Sequence, residues 1–155
     1  MTTNDKWLKD LKQGEADEKY LASFFVKRHN CSVIDYNPNN DSSYDIKIIM
    51  SNKEELLEVK SDRYEEYHKP TGNICLELSC SGKPSGLWTT KSTIYCFYFP
   101  IKKVVYMIRT EKLKEFVKNT PELRRFNGGG DGGKTTGVLI NREEYKHIFK
   151  IVNLI

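Results

Sequence analysis

Residues 44–61 read YDIKIIMSNKEELLEVKS, and this stretch decides the fold. Tyr44–Met50 and Glu55–Ser61 both have the composition of β-strands, with aliphatic residues interleaved with polar ones. Ser51, Asn52 and Lys53 between them are turn residues. Two strands joined by so short a link predict a hairpin. Side chains alternate along a strand, so Glu58 and Lys60 point to the same face. Hairpin pairing brings Asp45 towards Glu58.

Working outward, residues 5–28 predict a helix, with Trp7, Leu8, Leu11, Tyr20, Leu21, Phe24 and Phe25 near helical spacing and Gly14 as a point where it breaks. Cys31–Tyr36, Ile74–Ser79, Thr93–Phe99 and Val104–Ile108 read as further strands. Thr110 reads as the cap of a helix running to about Lys118. Residues 82–90 and 127–137 read as loops, the second rich in glycine. Pro121–Phe126 reads as helical or irregular, Val138–Ile140 as short and apolar, and a last helix is expected to start near Asn141. This order predicts an α/β fold, one domain built around a mixed sheet.

The chain has 155 residues, including nine Tyr and seven Phe. No apolar run is long enough to cross a bilayer, and the first fifteen residues are polar and mixed in charge. A soluble, intracellular (cytoplasmic) protein with no membrane partner is expected. Cys31, Cys75, Cys80 and Cys96 form no C-x-x-C pair, so buried, reduced thiols are expected. The net charge of +4 is unevenly spread. Residues 1–80 carry 11 Lys and Arg against 15 Asp and Glu, a net of −4, whereas residues 81–155 carry 14 against 6, a net of +8. A basic half suits a polyanion-binding surface; a solvated face accounts for it equally.

Charges among apolar strand residues are costly without a partner. A divalent cation would be one. Asp45, Glu58 and the main-chain carbonyl of Val59 supply oxygen ligands of the kind Mg²⁺ takes. Lys60 is then placed to orient a water or to neutralise developing negative charge. The spelling D/E-x-K alone is weak, because the chain contains five matches: 10–12, 17–19, 45–47, 58–60 and 144–146. Three fall in expected helices, where residues two apart do not share a face. An ordinary ion pair on an edge strand also accounts for Glu58 and Lys60. Glu77, a lone carboxylate in Leu76-Glu77-Leu78, belongs either to the site or to an exposed strand face. Lys83, Ser85, Thr89, Thr90 and Lys91 form a donor-rich loop that suits phosphate or is simply a polar surface loop. Trp88 suits base stacking or core packing.

Two further patterns are set aside. Gly128–Thr135 spells the phosphate-cradling G-x-x-x-x-G-K-[ST], but that loop requires a strand before it and a helix after it. A strand-like TGVLI (residues 136–140) follows instead, so no nucleotide cofactor is expected. With Arg124, Arg125 and Lys134 nearby, the loop suits either closure over DNA or a purely structural role. His29, His68 and His147 lack ligand spacing and read as non-catalytic.

The stretch Tyr44-Asp45 … Glu58-Val59-Lys60, preceded by a helix carrying Glu15, resembles the PD-(D/E)XK nuclease superfamily, and in particular its Holliday-junction resolvase branch. Residues 71–95 are similar to phage-encoded members. The similarity covers roughly residues 10–100, and Tyr44 stands where the signature has Pro. The resemblance implies a restriction-endonuclease-like mixed β-sheet core flanked by helices. It implies that Asp45 and Glu58 bind metal, that Lys60 assists the nucleophilic water, and that Glu15 reaches in from the first helix. The expected function is Mg²⁺-dependent hydrolysis of DNA, with Mn²⁺ able to substitute. Endonuclease action on structured or branched DNA comes first, by a homodimer, in the host cytoplasm if the chain is phage-encoded. A restriction, repair or exonucleolytic enzyme is the alternative, as is a nucleic-acid-binding protein that kept the fold without the chemistry.

Overall fold

The computed structural model describes residues 2–37, 43–63, 69, 71–128 and 134–155. Helix α1 spans Thr3–His29. It starts at a capping box in which Thr2 and Asp5 satisfy each other's backbone N–H groups, and it stops at Asn30, whose left-handed conformation ends the turn. The helix runs through Gly14 without a break, because one glycine costs only about 1 kcal/mol inside a helix of good formers. Its burial is lopsided. Asp17, Leu21, Ala22 and Phe25 are buried, whereas Trp7, Leu8 and Leu11 are exposed. The helical spacing expected for those three is present, but only the second half of α1 lies over the sheet.

The hairpin at residues 44–61 forms as the sequence predicts. Strands β2 (Ile46–Met50) and β3 (Lys53–Ser61) pair antiparallel, Ile46 with Leu57 and Met50 with Lys53. Ser51 and Asn52 both take positive φ, as a two-residue hairpin turn requires. Strand β1 (Ser32–Tyr36) adds to the outer side of β2. On its other side β3 pairs in parallel with β6 (Ile94–Phe99), which pairs antiparallel with β7 (Val104–Arg109). Strand β10 (Lys150–Asn153) closes the sheet, giving the order β1-β2-β3-β6-β7-β10. A second sheet has the order β5-β4-β9-β8, from β4 (Asn73–Cys80), β5 (Lys83–Pro84), β8 (Arg124–Asn127) and β9 (Thr135–Asn141).

The fold is thus mixed α/β, with the six-stranded sheet in the middle. One core lies between this sheet and α1 and includes Leu21, Phe25, Ile46, Ile48, Leu57, Val59 and Cys96. The other lies between it and the second sheet with helix α2 (Thr110–Asn119), and includes Leu76, Leu87, Tyr95, Phe97, Leu113 and Ile140. Strand β6 is buried along its whole length because it faces both cores, which is why its run IYCFYF is apolar without alternation.

The C-terminal third departs from the sequence reading. No helix begins at Asn141. A turn and a single 3-10 turn at Lys146–Ile148 lead into β10, which pairs with β7. Pro121–Phe126 does not form a helix; Arg124–Asn127 is strand β8. Both strands are four residues long, too short to show a period of two. Helix α2 takes its cap position at Arg109, with Thr110 as its first residue. The glycine-rich loop joins β8 to β9, and a strand follows it where a phosphate-cradling loop needs a helix; residues 129–133 lie outside the described residues. So do 38–42 of the loop before Tyr44 and His68. Among the cysteines, Cys31 and Cys96 are buried, but Cys75 is exposed and Cys80 half-buried, contrary to the expectation that all four are core thiols; all are free. No helix among the described residues is long and apolar enough to cross a membrane.

Candidate active site

Strand β3 places Leu57 and Val59 in the core beneath α1. Glu58 and Lys60 therefore point to the opposite face, as alternation requires. The β2–β3 register, continued by one residue, sets Asp45 directly across from Glu58. Asp45 is held there by its own backbone. Its N–H donates to the Leu57 carbonyl at 2.9 Å, and its carboxylate accepts from the Val59 N–H at 2.7 Å. The preceding residue is fixed against β1: the Tyr44 hydroxyl donates to Asp35 at 2.8 Å, and the Asn37 amide donates to the Tyr44 carbonyl at 2.6 Å.

Glu58 is surrounded by donors. Lys60 Nζ lies 3.1 Å from its Oε1. Thr90 and Ser92 donate their hydroxyls to its Oε2 at 3.3 and 3.2 Å. These two residues belong to the segment 85–92, which lies against the second sheet. Its 3-10 turn, Gly86–Trp88, passes so close to β4 that a Cβ on Gly86 would collide with the Glu77 carbonyl, and Gly86 has φ +55°. Ser85 in the same segment donates to Glu77 at 2.8 Å. The segment is also tied to the chain just before β2, since the Lys91 N–H donates to the Ser43 carbonyl at 3.1 Å.

Three acids therefore converge without enough positive charge. Burial and the neighbouring Glu58 raise the Asp45 carboxyl to about 6, even though the Val59 N–H and Lys60 pull it down. Burial lowers the Lys60 ammonium, but Glu58, Asp45 and Glu77 outweigh it and hold the group above its ordinary value. The third acid is Glu18. Half-buried on α1, it is raised to about 7 by burial and then by the charges of Asp45, Glu15 and Glu58. A cleft of about 500 Å³ opens between α1 and the start of β2, lined by Glu15, Glu18, Tyr44 and Asp45 among others. Perturbed acids lining a cleft are a mark of functional sites.

The structure sorts the sequence-predicted residues. Asp45, Glu58, the Val59 backbone and Lys60 are brought together. Glu77 joins them from β4, close enough to act on Lys60. Glu15 is exposed on the cleft rim, while Glu18 lies one turn further along, on the buried side. Sequence reasoning missed Glu18, although its spacing of three, four and seven residues from Leu21, Ala22 and Phe25 puts it on the buried stripe. Ser92 was also missed. The hydroxyls of Ser85 and Thr90, read as phosphate donors, bind Glu77 and Glu58 instead. Thr89 donates to the Gly86 carbonyl of its own turn at 3.5 Å. Lys83 and Lys91 are exposed, and Lys134, also exposed, accepts through its carbonyl from Ser81 across the second sheet.

In chemical kind, the donor set suits a hard divalent cation. Asp45 and Glu58 are opposed carboxylates, and the Val59 carbonyl adjoins them in the chain. Among the described residues, however, no three His, Cys, Asp or Glu side chains form a ready metal-holding group. Glu58 is neutralised by Lys60 instead. Comparison with family models, with curated proteins and with solved structures returns no match to this chain.

Proposed function

We propose that the chain is a nuclease that hydrolyses phosphodiester bonds of DNA at the Asp45, Glu58 and Lys60 site, and that it belongs with the PD-(D/E)XK enzymes its sequence resembles. The observation that carries this reading is the opposition of Asp45 and Glu58 across two strands with Lys60 at 3.1 Å from Glu58. Two acids that repel each other across the hairpin suit a bound cation, and the lysine beside them suits a reaction that develops negative charge.

Asp45, Glu58 and the Val59 carbonyl would hold a Mg²⁺ ion, which when bound polarises a phosphoryl oxygen and acidifies water. The remaining roles fall to the chain. Glu18, raised to about 7, exchanges a proton near neutral pH and is suited to general acid–base work at the cleft. Lys60 donates hydrogen bonds to the attacked phosphate or to the incoming water. Thr90 and Ser92 fix the Glu58 carboxylate in one orientation. Cutting both strands of a duplex would need two such sites, which a homodimer supplies, and branched or otherwise structured DNA is the first substrate to try.

One observation favours a second reading. Lys60 already satisfies Glu58, and no three-residue metal group stands ready among the described residues. That arrangement also suits a nucleic-acid-binding protein without hydrolytic activity. The experiment is a cleavage assay on linear, single-stranded and four-way-junction DNA, with Mg²⁺ or Mn²⁺ compared with EDTA. Metal-dependent cutting that Lys60→Ala lowers by about 10²-fold or more is expected. Intact DNA in every metal, with binding retained, would leave the binding protein as the better reading.

A further inference from the structure

A second feature of the molecule lies away from the acids, on the far side of the segment 85–92. A groove of about 470 Å³ runs between β4, β5, α2 and β8. Its wall is the indole of Trp88, which is half-buried, and the ammonium of Lys118 sits 5.6 Å from that ring. Arg125, exposed on β8, lines the same groove. Pro84 adds an apolar surface, and the Ser79 and Thr136 hydroxyls, hydrogen-bonded to each other, belong to the lining. Among the described residues, no carboxylate lines the groove. Arg125 and Lys118 have no acidic partner among the described residues. They belong to the half of the chain with a net charge of +8.

An aromatic ring flanked by two unneutralised cations, with small hydroxyls nearby, is complementary to a base and its neighbouring phosphates. The geometry points to a binding site for an unpaired stretch of nucleic acid, with one base stacked against Trp88 and the flanking phosphates on Lys118 and Arg125. The occupant is a strand and not a free nucleotide, because the groove runs between several elements and its two cations are carried on different ones, α2 and β8. The site rests on the nucleic-acid reading above and deepens it. It assigns preference to substrates with a single-stranded portion. The two sites are joined through the chain, since the residue after Trp88 leads directly to Thr90 on Glu58.

The chain has two tryptophans, Trp7 and Trp88, so Trp7→Phe leaves Trp88 as the sole indole. This protein is titrated with an oligothymidylate in EDTA, where no hydrolysis competes, and emission is followed. Quenching is expected, with binding that weakens as salt rises. Lys118→Ala with Arg125→Ala should weaken binding roughly tenfold and flatten the salt dependence. Unchanged emission, or unchanged affinity in the double variant, overturns the site. Thymidine monophosphate binding as tightly as the oligomer would overturn it in favour of a free nucleotide. Polyglutamate competing as well as the oligomer would overturn it in favour of an acidic protein. Cleavage of DNA by the wild type in Mg²⁺ is read separately. Failure of cleavage with quenching intact removes the hydrolytic reading alone, and cleavage without quenching removes the groove alone.

Discussion

Strand β3 carries two carboxylates three residues apart that stand in different company. Glu55 is buried, yet its carboxylate is fully matched: Arg109 reaches its Oε1 at 3.0 Å, and the Thr93 hydroxyl donates to Oε2 at 2.6 Å. Burial opposes ionisation there, but these hydrogen bonds and the Arg109 charge outweigh it and hold the carboxyl below its ordinary value. At the other end, Glu58 faces Asp45 with Lys60 shared between them, and Asp45 and Glu18 are driven up. The same chemistry on the same strand is stabilising where donors match the charge and costly where acids outnumber them.

The largest effect should come from removing the imbalance. Asp45→Asn is expected to abolish cleavage, by about 10²-fold or more, while raising stability at pH 8 by about 1–3 kcal/mol. Denaturant unfolding and the cleavage assay check the two halves. A variant both inactive and destabilised would break the comparison, because Asp45 would then be a structural acid like Glu55.

The opposite substitution sharpens it. Arg109→Ala leaves Glu55 buried without its cation and should cost about 1–3 kcal/mol, the value of a charge-assisted hydrogen bond, discounted for the exposure of Arg109. Thermal or urea unfolding measures this. Cleavage per folded molecule should stay near wild type, since Arg109 does not touch the acids at 45 and 58.

The last effect is in the pH dependence. Asp45 and Glu18 have folded values of about 6 and about 7 against ordinary values of 3.8 and 4.5. Between those limits the folded state holds more protons than the unfolded chain, so these acids make stability fall as pH rises from about 4 to 7. Glu55 has the reverse sign: its contribution is present above its ordinary value of 4.5 and lost as pH falls through its lower folded value. Melting temperatures across pH 3–8 should show the fall from 4 to 7 shrink in Asp45→Asn with Glu18→Gln. A fall unchanged in that double variant would assign it to other groups.

Much of this contrast was legible before any coordinates. Alternation in residues 44–61 gives the hairpin, and the hairpin gives Asp45 opposite Glu58, because both depend on local periodicity. Glu18 was not legible, because its role depends on which half of α1 the sheet covers, and the apolar residues Trp7, Leu8 and Leu11 suggest a longer buried face than exists. The Glu58–Lys60 pair was legible as an ion pair, and the structure shows it, but the hydroxyl partners of Glu58 and the partners of Glu55 were not. Thr90, Ser92, Thr93 and Arg109 come from segments more than thirty residues further along, brought in by the β3–β6 and β6–β7 pairings. The second sheet, with β4 beside β9, is set by pairing across about sixty residues, which no window of local sequence reports.

The parallel pairing of β3 with β6 also imposes an order on folding. The β2–β3 hairpin closes over a two-residue turn and forms on a scale of about 1–10 μs. It brings Asp45 and Glu58 face to face. The hydroxyls that steady Glu58 lie 32 and 34 residues further along the chain, and they arrive only after a much larger loop has closed, at greater entropic cost. The acids therefore meet first and gain their hydrogen-bond donors afterwards, so the completed site is a late product of folding and any slow step in seating β6 would delay activity more than it delays compaction.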